Sequence, residues 1–444
     1  MFIKKAVSTL LIACCSASAW SLDLSLAYQA ALAQEATIRA ARATAAAGRE
    51  TLPQARAQLL PNISLTVARY RNQLSSTQPN SLGRQVTTDS NYGSRNDSLV
   101  LRQPIYRKYQ FARYEQAKAE VDNVNAVLEV ETQNVAVRVG SAYFEALLAH
   151  DQLALVLSQK NNYATQLDAA RKIFAAGSGT RTDVDEAQAR VDLSVAQELE
   201  ARQQVEFTRR QLEVLVNQPL DDLAKLDASR LELLPPEPAN VAFWVERAEL
   251  ANPEIRALKA RIETARQEVE MAKSGHYPTL DAIAQLTRSG SENVLNTGSS
   301  SYNRSIGLQL TIPIYAGGGV ESNIRQALAS KERAEEQLEV GRRDLGVRVH
   351  KEFRAMTEGV LRVRALEQAV RSADQVVISS SKSFEAGVRT RLDVLNAERD
   401  QILALRDLAQ ARYLYVVSQL RLKALVAEAD EQVIVAINRW LIAP

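Results

Sequence analysis

One turn occurs twice in this chain, and that duplication constrains the fold more than any other feature. FAAGSGTRTDVDEA at 174–187 and FEAGVRTRLDVLNA at 384–397 share the frame AGxxTRxDV and lie 210 residues apart. A repeat of this length replaces the usual division of 444 residues into domains of roughly 150 with two similar halves, 20–230 and 231–430. Proline placement shows what each half contains: there is none between Pro104 and Pro219, and none between Pro313 and Pro444. Both blocks are rich in Ala, Leu, Gln, Glu and Arg. The run 106–174 alone makes a helix of about 100 Å at roughly 1.5 Å per residue. Such length calls for coiled-coil-like packing, with turns near Gly177 and Gly387 folding each block into an antiparallel pair.

Between the helical blocks lie two short segments, each bracketed by prolines at matching places, Pro61 to Pro104 and Pro278 to Pro313. LLPNISLTV answers HYPTLDAIA, and LRQPIY answers LTIPIY. In SIGLQLTI, Ile306, Leu308, Leu310 and Ile312 alternate with Ser305, Gly307, Gln309 and Thr311, the period of a strand with one apolar face. The same alternation marks strands at about 62–71, 97–103, 279–288 and 304–312. Two hairpins on a soluble core would satisfy this pattern. Transmembrane strands, apolar outward and polar inward, satisfy it too and also explain the long Ser/Asn/Gly loops. In that case four strands are too few to close a barrel, and several copies must contribute; three copies give twelve strands.

The N-terminus carries Lys4 and Lys5, an apolar run at 6–15 and the small triplet Ala17-Ser18-Ala19. It reads as a signal peptide over 1–19, the alternative being a lipoprotein site that leaves Cys14 lipidated. Cleavage after Ala19 removes both cysteines, Cys14 and Cys15, and with Lys4 and Lys5 lost the formal charge falls from +2 to zero. That excludes disulfide chemistry and argues against a nucleic-acid partner. Past this segment no run of about 20 apolar residues exists, so any spanning segment must be a strand. His150, His276 and His350 are scattered without metal-ligand spacing, and neither a phosphate loop nor a nucleophile elbow is present. No cofactor and no enzymatic activity are expected.

From about 22 to 430 the chain resembles the TolC family of Gram-negative outer-membrane channel proteins. The duplicated halves, the bracketed strand pairs, PIYAGG at 313–318 and the two AGxxTRxDV turns carry the resemblance together. It implies a mainly α fold with a transmembrane β-barrel: a homotrimer whose twelve-stranded barrel in outer-membrane lipid continues as an α-helical barrel through the periplasm. Residues 219–250 and 431–444 would form a small equatorial region. The partners implied are a periplasmic adaptor (membrane fusion) protein and an inner-membrane transporter, ABC or proton-driven.

The resemblance also assigns the duplicated turns. Ala176, Gly177, Ser178 and Thr180, with Ala386, Gly387, Val388 and Thr390, become hairpin tips where the adaptor docks. Asp393 matches an acidic position at the narrowest point of the pore, so three copies make a carboxylate ring selecting cations, and Asp183 is expected beside it among the gate residues. Asn396 stands where a second Asp can occur, which implies one ring and weaker selectivity. Arg389 and Phe384 match positions that tie neighbouring hairpins shut, although Phe384 lacks a tyrosine's hydroxyl and Gly179 faces Arg389 in the repeat. The residues alone allow plainer roles: Asp183 and Asp393 as helix caps, Gly177 and Gly387 as left-handed turns, and Arg389 as a solvated surface residue.

The function expected is an exit channel of a tripartite export system, its cargo leaning toward type I protein secretion over small-molecule efflux. A periplasmic coiled-coil adaptor or scaffold is the alternative, although its hairpin would normally occur once.

Overall fold

The computed structural model describes residues 22–220, 222–292 and 298–442. The signal segment and both cysteines lie outside the described residues. In chain order the elements are α1 (Leu24–Gln34), α2 (Ala36–Arg49), α3 (Thr51–Ala57), β1 (Asn62–Pro79), β2 (Gln85–Arg107), α4 (Lys108–Ala175) and α5 (Arg181–Val216). There follow β3 (Lys225–Leu226), α6 (Val241–Ala251), α7 (Pro253–Lys273), β4 (Thr279–Ser291), β5 (Ser299–Thr311), α8 (Gly319–Glu385), α9 (Arg391–Leu425), α10 (Glu431–Asn438) and β6 (Leu441–Ile442). Among the described residues no helix is long and apolar enough to cross a membrane.

The chain forms two compact units that cut across the duplication. One comprises residues 41–130 and 253–344, and at its centre is an antiparallel sheet in the order β1-β2-β4-β5. Register aligns the apolar residues of all four strands on one face: Ile63 stands opposite Leu101, Leu101 opposite Ala284, and Ala284 opposite Ile306. The facing side carries Ser64, Ser98, Gln285 and Ser305 and their like.

The strands outrun the alternation that marked them, β1 reaching Pro79, β2 starting at Gln85, β4 reaching Ser291 and β5 starting at Ser299. Beyond the apolar rows both faces are mostly Ser, Thr and Asn, with the arginines on one face only, so period two in apolar residues fades from the sequence while the backbone ladder continues. Pro104 does not end β2 either. The strand passes through it to Arg107, with a register shift between Pro104 and Tyr106 absorbing the missing N–H.

Among the described residues the other unit comprises 22–40, 131–220, 222–252 and 345–442. Its core stacks Tyr143 on Phe144 and Phe144 on Tyr413, with ring centroids 5.7 and 5.8 Å apart. The fully buried Tyr143 hydroxyl donates a shared hydrogen bond to the carbonyls of Leu22 at 3.0 Å and Ala224 at 2.9 Å, anchoring the chain ahead of α1 and β3 to α4. Tyr415 does the same for the segment after β3, donating to the Leu234 carbonyl at 2.8 Å and accepting from its N–H at 3.0 Å. Arg138 of α4 grips Glu35, nearly buried after α1, with two parallel bonds of 3.0 Å. β3 pairs with β6, joining the middle and the C-terminal end of the chain. Replacing Tyr143 by Phe leaves the buried Ala224 carbonyl without this donor, while the Leu22 carbonyl keeps the Ala224 N–H at 3.3 Å, and is expected to cost about 1 kcal/mol. Thermal unfolding of the purified variant against wild type checks this.

Candidate functional site

The two AGxxTRxDV turns build the same small structure. Each helix ends in a glycine in the left-handed region, Gly177 at φ 74° and Gly387 at φ 75°, where a Cβ would be strained. The next N–H closes the end back on the helix, Ser178 to the Ile173 carbonyl at 3.1 Å and Val388 to the Ser383 carbonyl at 2.8 Å. Thr180 and Thr390 then cap the following helices. The Asp183 N–H donates to the Thr180 hydroxyl oxygen at 3.2 Å while its carboxylate accepts the Thr180 N–H at 3.0 Å and hydroxyl at 2.7 Å. Asp393 and Thr390 repeat this box with distances of 3.3, 2.9 and 2.7 Å.

The boxes set the charge of the tips. The Thr180 hydroxyl, then its N–H, hold the Asp183 carboxyl below the usual carboxylate range, and the Arg391 guanidinium of the other tip adds to this. The Thr390 hydroxyl and N–H do the same for Asp393, with Arg389 contributing. Both carboxylates are therefore ionised at neutral pH, exposed to solvent and already engaged as caps. Asn396, also exposed, lies three residues after Asp393 on the same side of α9. Ala176, Gly177, Ser178 and Thr180 are exposed, as are Ala386, Gly387, Val388 and Thr390, with Val388 at 80% of its full accessibility.

The tips meet around a cavity of about 300 Å³ lined by Ile173, Gly179 and Asp183 from one turn and Phe384, Arg391 and Leu395 from the other. Phe384 is thus the aromatic that lines this cavity. Arg389, in contrast, donates to the buried Ser380 hydroxyl of its own hairpin at 2.7 Å. Gly179 replaces that arginine in the first turn, where a Cβ would crowd Ile173 at 3.1 Å and the Phe174 backbone nitrogen at 3.3 Å.

Sequence reasoning missed the link one turn further in, where Gln166 of α4 donates to Glu398 of α9 at 3.0 Å. Burial pushes the Glu398 carboxyl up, the opposite of Asp393. No local spacing signals a pair 232 residues apart. Arg391 is part of the repeated frame itself and was legible as a residue, but not as the neighbour of Asp183. Above the tips a second cavity of about 650 Å³ opens between α4, α5 and α9, edged by Tyr163, Arg190, Arg399 and Arg406.

The model of the family described as outer membrane efflux protein matches residues 27–218 and 244–428. The alkaline protease secretion protein AprF of Pseudomonas aeruginosa is 35% identical over 93% of this chain and 86% of its own length. The proteases secretion protein PrtF of Dickeya chrysanthemi is 29% identical over 98% and 95%. Among solved structures, the outer membrane protein VceC from Vibrio cholerae superposes with a TM-score of 0.74 at 20% identity, covering 92% of this chain and 97% of that one. Amphipathic strands and paired, doubly capped helical hairpins of this kind define an export channel of the outer membrane that extends into the periplasm. The chain belongs to the outer membrane efflux protein family, the TolC family implied by its duplicated turns.

The depressed carboxyls give the tips a pH dependence of known sign. A folded pKa below the unfolded value supplies stability in full above the ordinary aspartate pKa of about 3.9, and that stability is lost as pH falls through the folded value. Protection of the Asp183 and Asp393 amides against exchange, taken relative to the intrinsic rate at each pH, is expected to hold above that range and to fall below it. Thr180→Val removes one cap at every pH and should cost the first tip about 1 kcal/mol of local stability, read by the same exchange.

Proposed function

We propose that three copies of this chain assemble into the exit conduit of a type I protein secretion system. The tips at Gly177 and Gly387 would form its periplasmic gate and the docking surface for an adaptor linked to an inner-membrane transporter. The observation that carries the cargo assignment is the similarity to AprF and PrtF, both protease secretion proteins, each of which aligns with nearly all of this chain. The sheet supports an assembly of several copies. β1 and β5 each leave one edge unpaired within the chain, an arrangement hydrocarbon does not tolerate, and joining β5 of one copy to β1 of the next closes twelve strands.

In this reading the conduit is passive and carries no catalytic residue. Asp393, ionised and exposed beside Asn396, supplies a ring of three carboxylates that favours cations. Asp183 acts as a cap facing Arg391, and Phe384 as the apolar contact between tips. Exposed Ala176, Ser178, Ala386 and Val388 present small and apolar groups to the adaptor, while Thr180 and Thr390 hold the turns in shape. Opening would separate the tips and break the Gln166–Glu398 bond.

Single-channel currents through the purified protein in a planar lipid bilayer test the gate. Discrete steps are expected, with a cation preference that falls toward unity in Asp393→Ala; steps of unchanged selectivity would remove the carboxylate ring from the mechanism. The cargo is tested by deleting the gene and measuring extracellular protease beside drug susceptibility. Loss of secreted protease with unaltered drug tolerance is expected, and the reverse pattern would reassign the channel to efflux.

A further inference from the structure

The register of the sheet places a cluster of arginines where the apolar band ends. On β5 the outward residues Leu310, Leu308 and Ile306, the last exposed at 88%, are followed on the same face by Arg304. The row containing Leu65, Leu99 and Leu286 ends at Arg304, and the next sets Val67, Asp97, Arg288 and Tyr302 side by side. The row beyond that holds Arg69, Arg95, Gly290 and Ser300. Three carboxylates, Asp89, Asp97 and Glu292, share this face with Arg69, Arg71, Arg95, Arg288 and Arg304, which leaves the surface basic.

The opposite face of the same rows carries no charge at all. It reads Ser64, Thr66, Ala68 and Tyr70 on β1, and Ser, Thr, Asn and Gln on β4 and β5. At this end of the sheet the arginines fall on the apolar face alone, which suits an anionic ligand on that side; Arg102, on the facing side, lies toward the opposite end. Part of the cluster is already neutralised or fixed in place. Arg69 pairs with Asp97 at 2.5 Å, and Arg304 donates to the Tyr302 hydroxyl at 2.8 Å with its guanidinium 4.7 Å from that ring. Among the described residues no ion pair or side-chain hydrogen bond reaches Arg95 or Arg288. The Arg95 side chain lies across Gly290, where a Cβ would meet its Nε at 2.8 Å, so the glycine gives the arginine a bed on the sheet surface.

We propose that Arg95, Arg288 and Arg304 bind the phosphate groups of the phosphorylated glycolipid that forms the outer leaflet of a Gram-negative outer membrane. This rests on the reading above that the sheet spans that membrane. The cluster lies at the end of the sheet away from the junctions with α3 and α4, hence toward the outer leaflet if the helices point to the periplasm. Lipid acyl chains would cover the apolar rows while the planar guanidiniums, fork-shaped donors suited to phosphate oxygens, meet the headgroup one row higher.

Native mass spectrometry of the detergent-purified full chain tests this, with bis-phosphorylated lipid A, its dephosphorylated form and phosphatidylglycerol as probes. Phosphorylated lipid A is expected to be retained at least about tenfold more tightly than either of the others. The Arg95→Gln/Arg288→Gln double variant should erase that preference while leaving single-channel conductance at the wild-type value. Should the double variant fail to assemble, the wild-type comparison and Arg304→Gln alone decide. Equal retention of the three lipids by a conducting wild-type protein overturns the site, as does a preference that survives the substitutions. Absence of any conducting assembly instead overturns the channel reading on which the site stands.

Discussion

A backbone amide in hydrocarbon has no water to fall back on, and the architecture of this protein follows from that constraint. Four strands satisfy one another internally but leave the free edges of β1 and β5. The apolar side chains that face lipid commit the sheet to an environment where such edges cannot stay open. Self-association is therefore built into the strand count, and the proposed threefold assembly resolves it without adding a residue. The helical hairpins meet the same demand differently, since every interior N–H bonds within its own helix. Only their ends need special residues, the Thr–Asp boxes and the left-handed glycines.

Much of this was legible in the sequence because it lies in local pattern. Proline-free blocks gave the helices, and the repeated frame gave both reversals with their caps. Period-two alternation gave the sheet's apolar face. Legibility failed where pattern and backbone part company. The outer halves of β1 and β2 are polar on both faces, so nothing in composition distinguishes them from loop, and Pro104 reads as a terminator although a register shift carries the strand past it. At the tips, Thr180–Asp183 is three residues apart and readable, whereas Gln166–Glu398 depends on two hairpins meeting.

The two halves have also diverged in a way that repetition alone hides. The first turn has Gly179 pressed against Ile173, and the second has Arg389 reaching back to Ser380. One tip is thus held by close backbone approach and the other by a charged hydrogen bond. In the proposed assembly both types of hairpin surround one pore, so its tips are held in two different ways.

The order of strands in the sheet bears on how the chain is made. β2 finds its second neighbour, β4, only after the whole first helical hairpin has been synthesised, since Leu99 stands opposite Leu286. Until then β1 and β2 are a two-stranded ribbon with an apolar face in water, the least self-sufficient form a sheet takes. Neither half of the duplication can mature by itself, because each supplies strands to one compact unit and helices to the other. The sheet is complete only once the second strand pair has been made, which ties the two halves of the duplication together in folding as well as in structure.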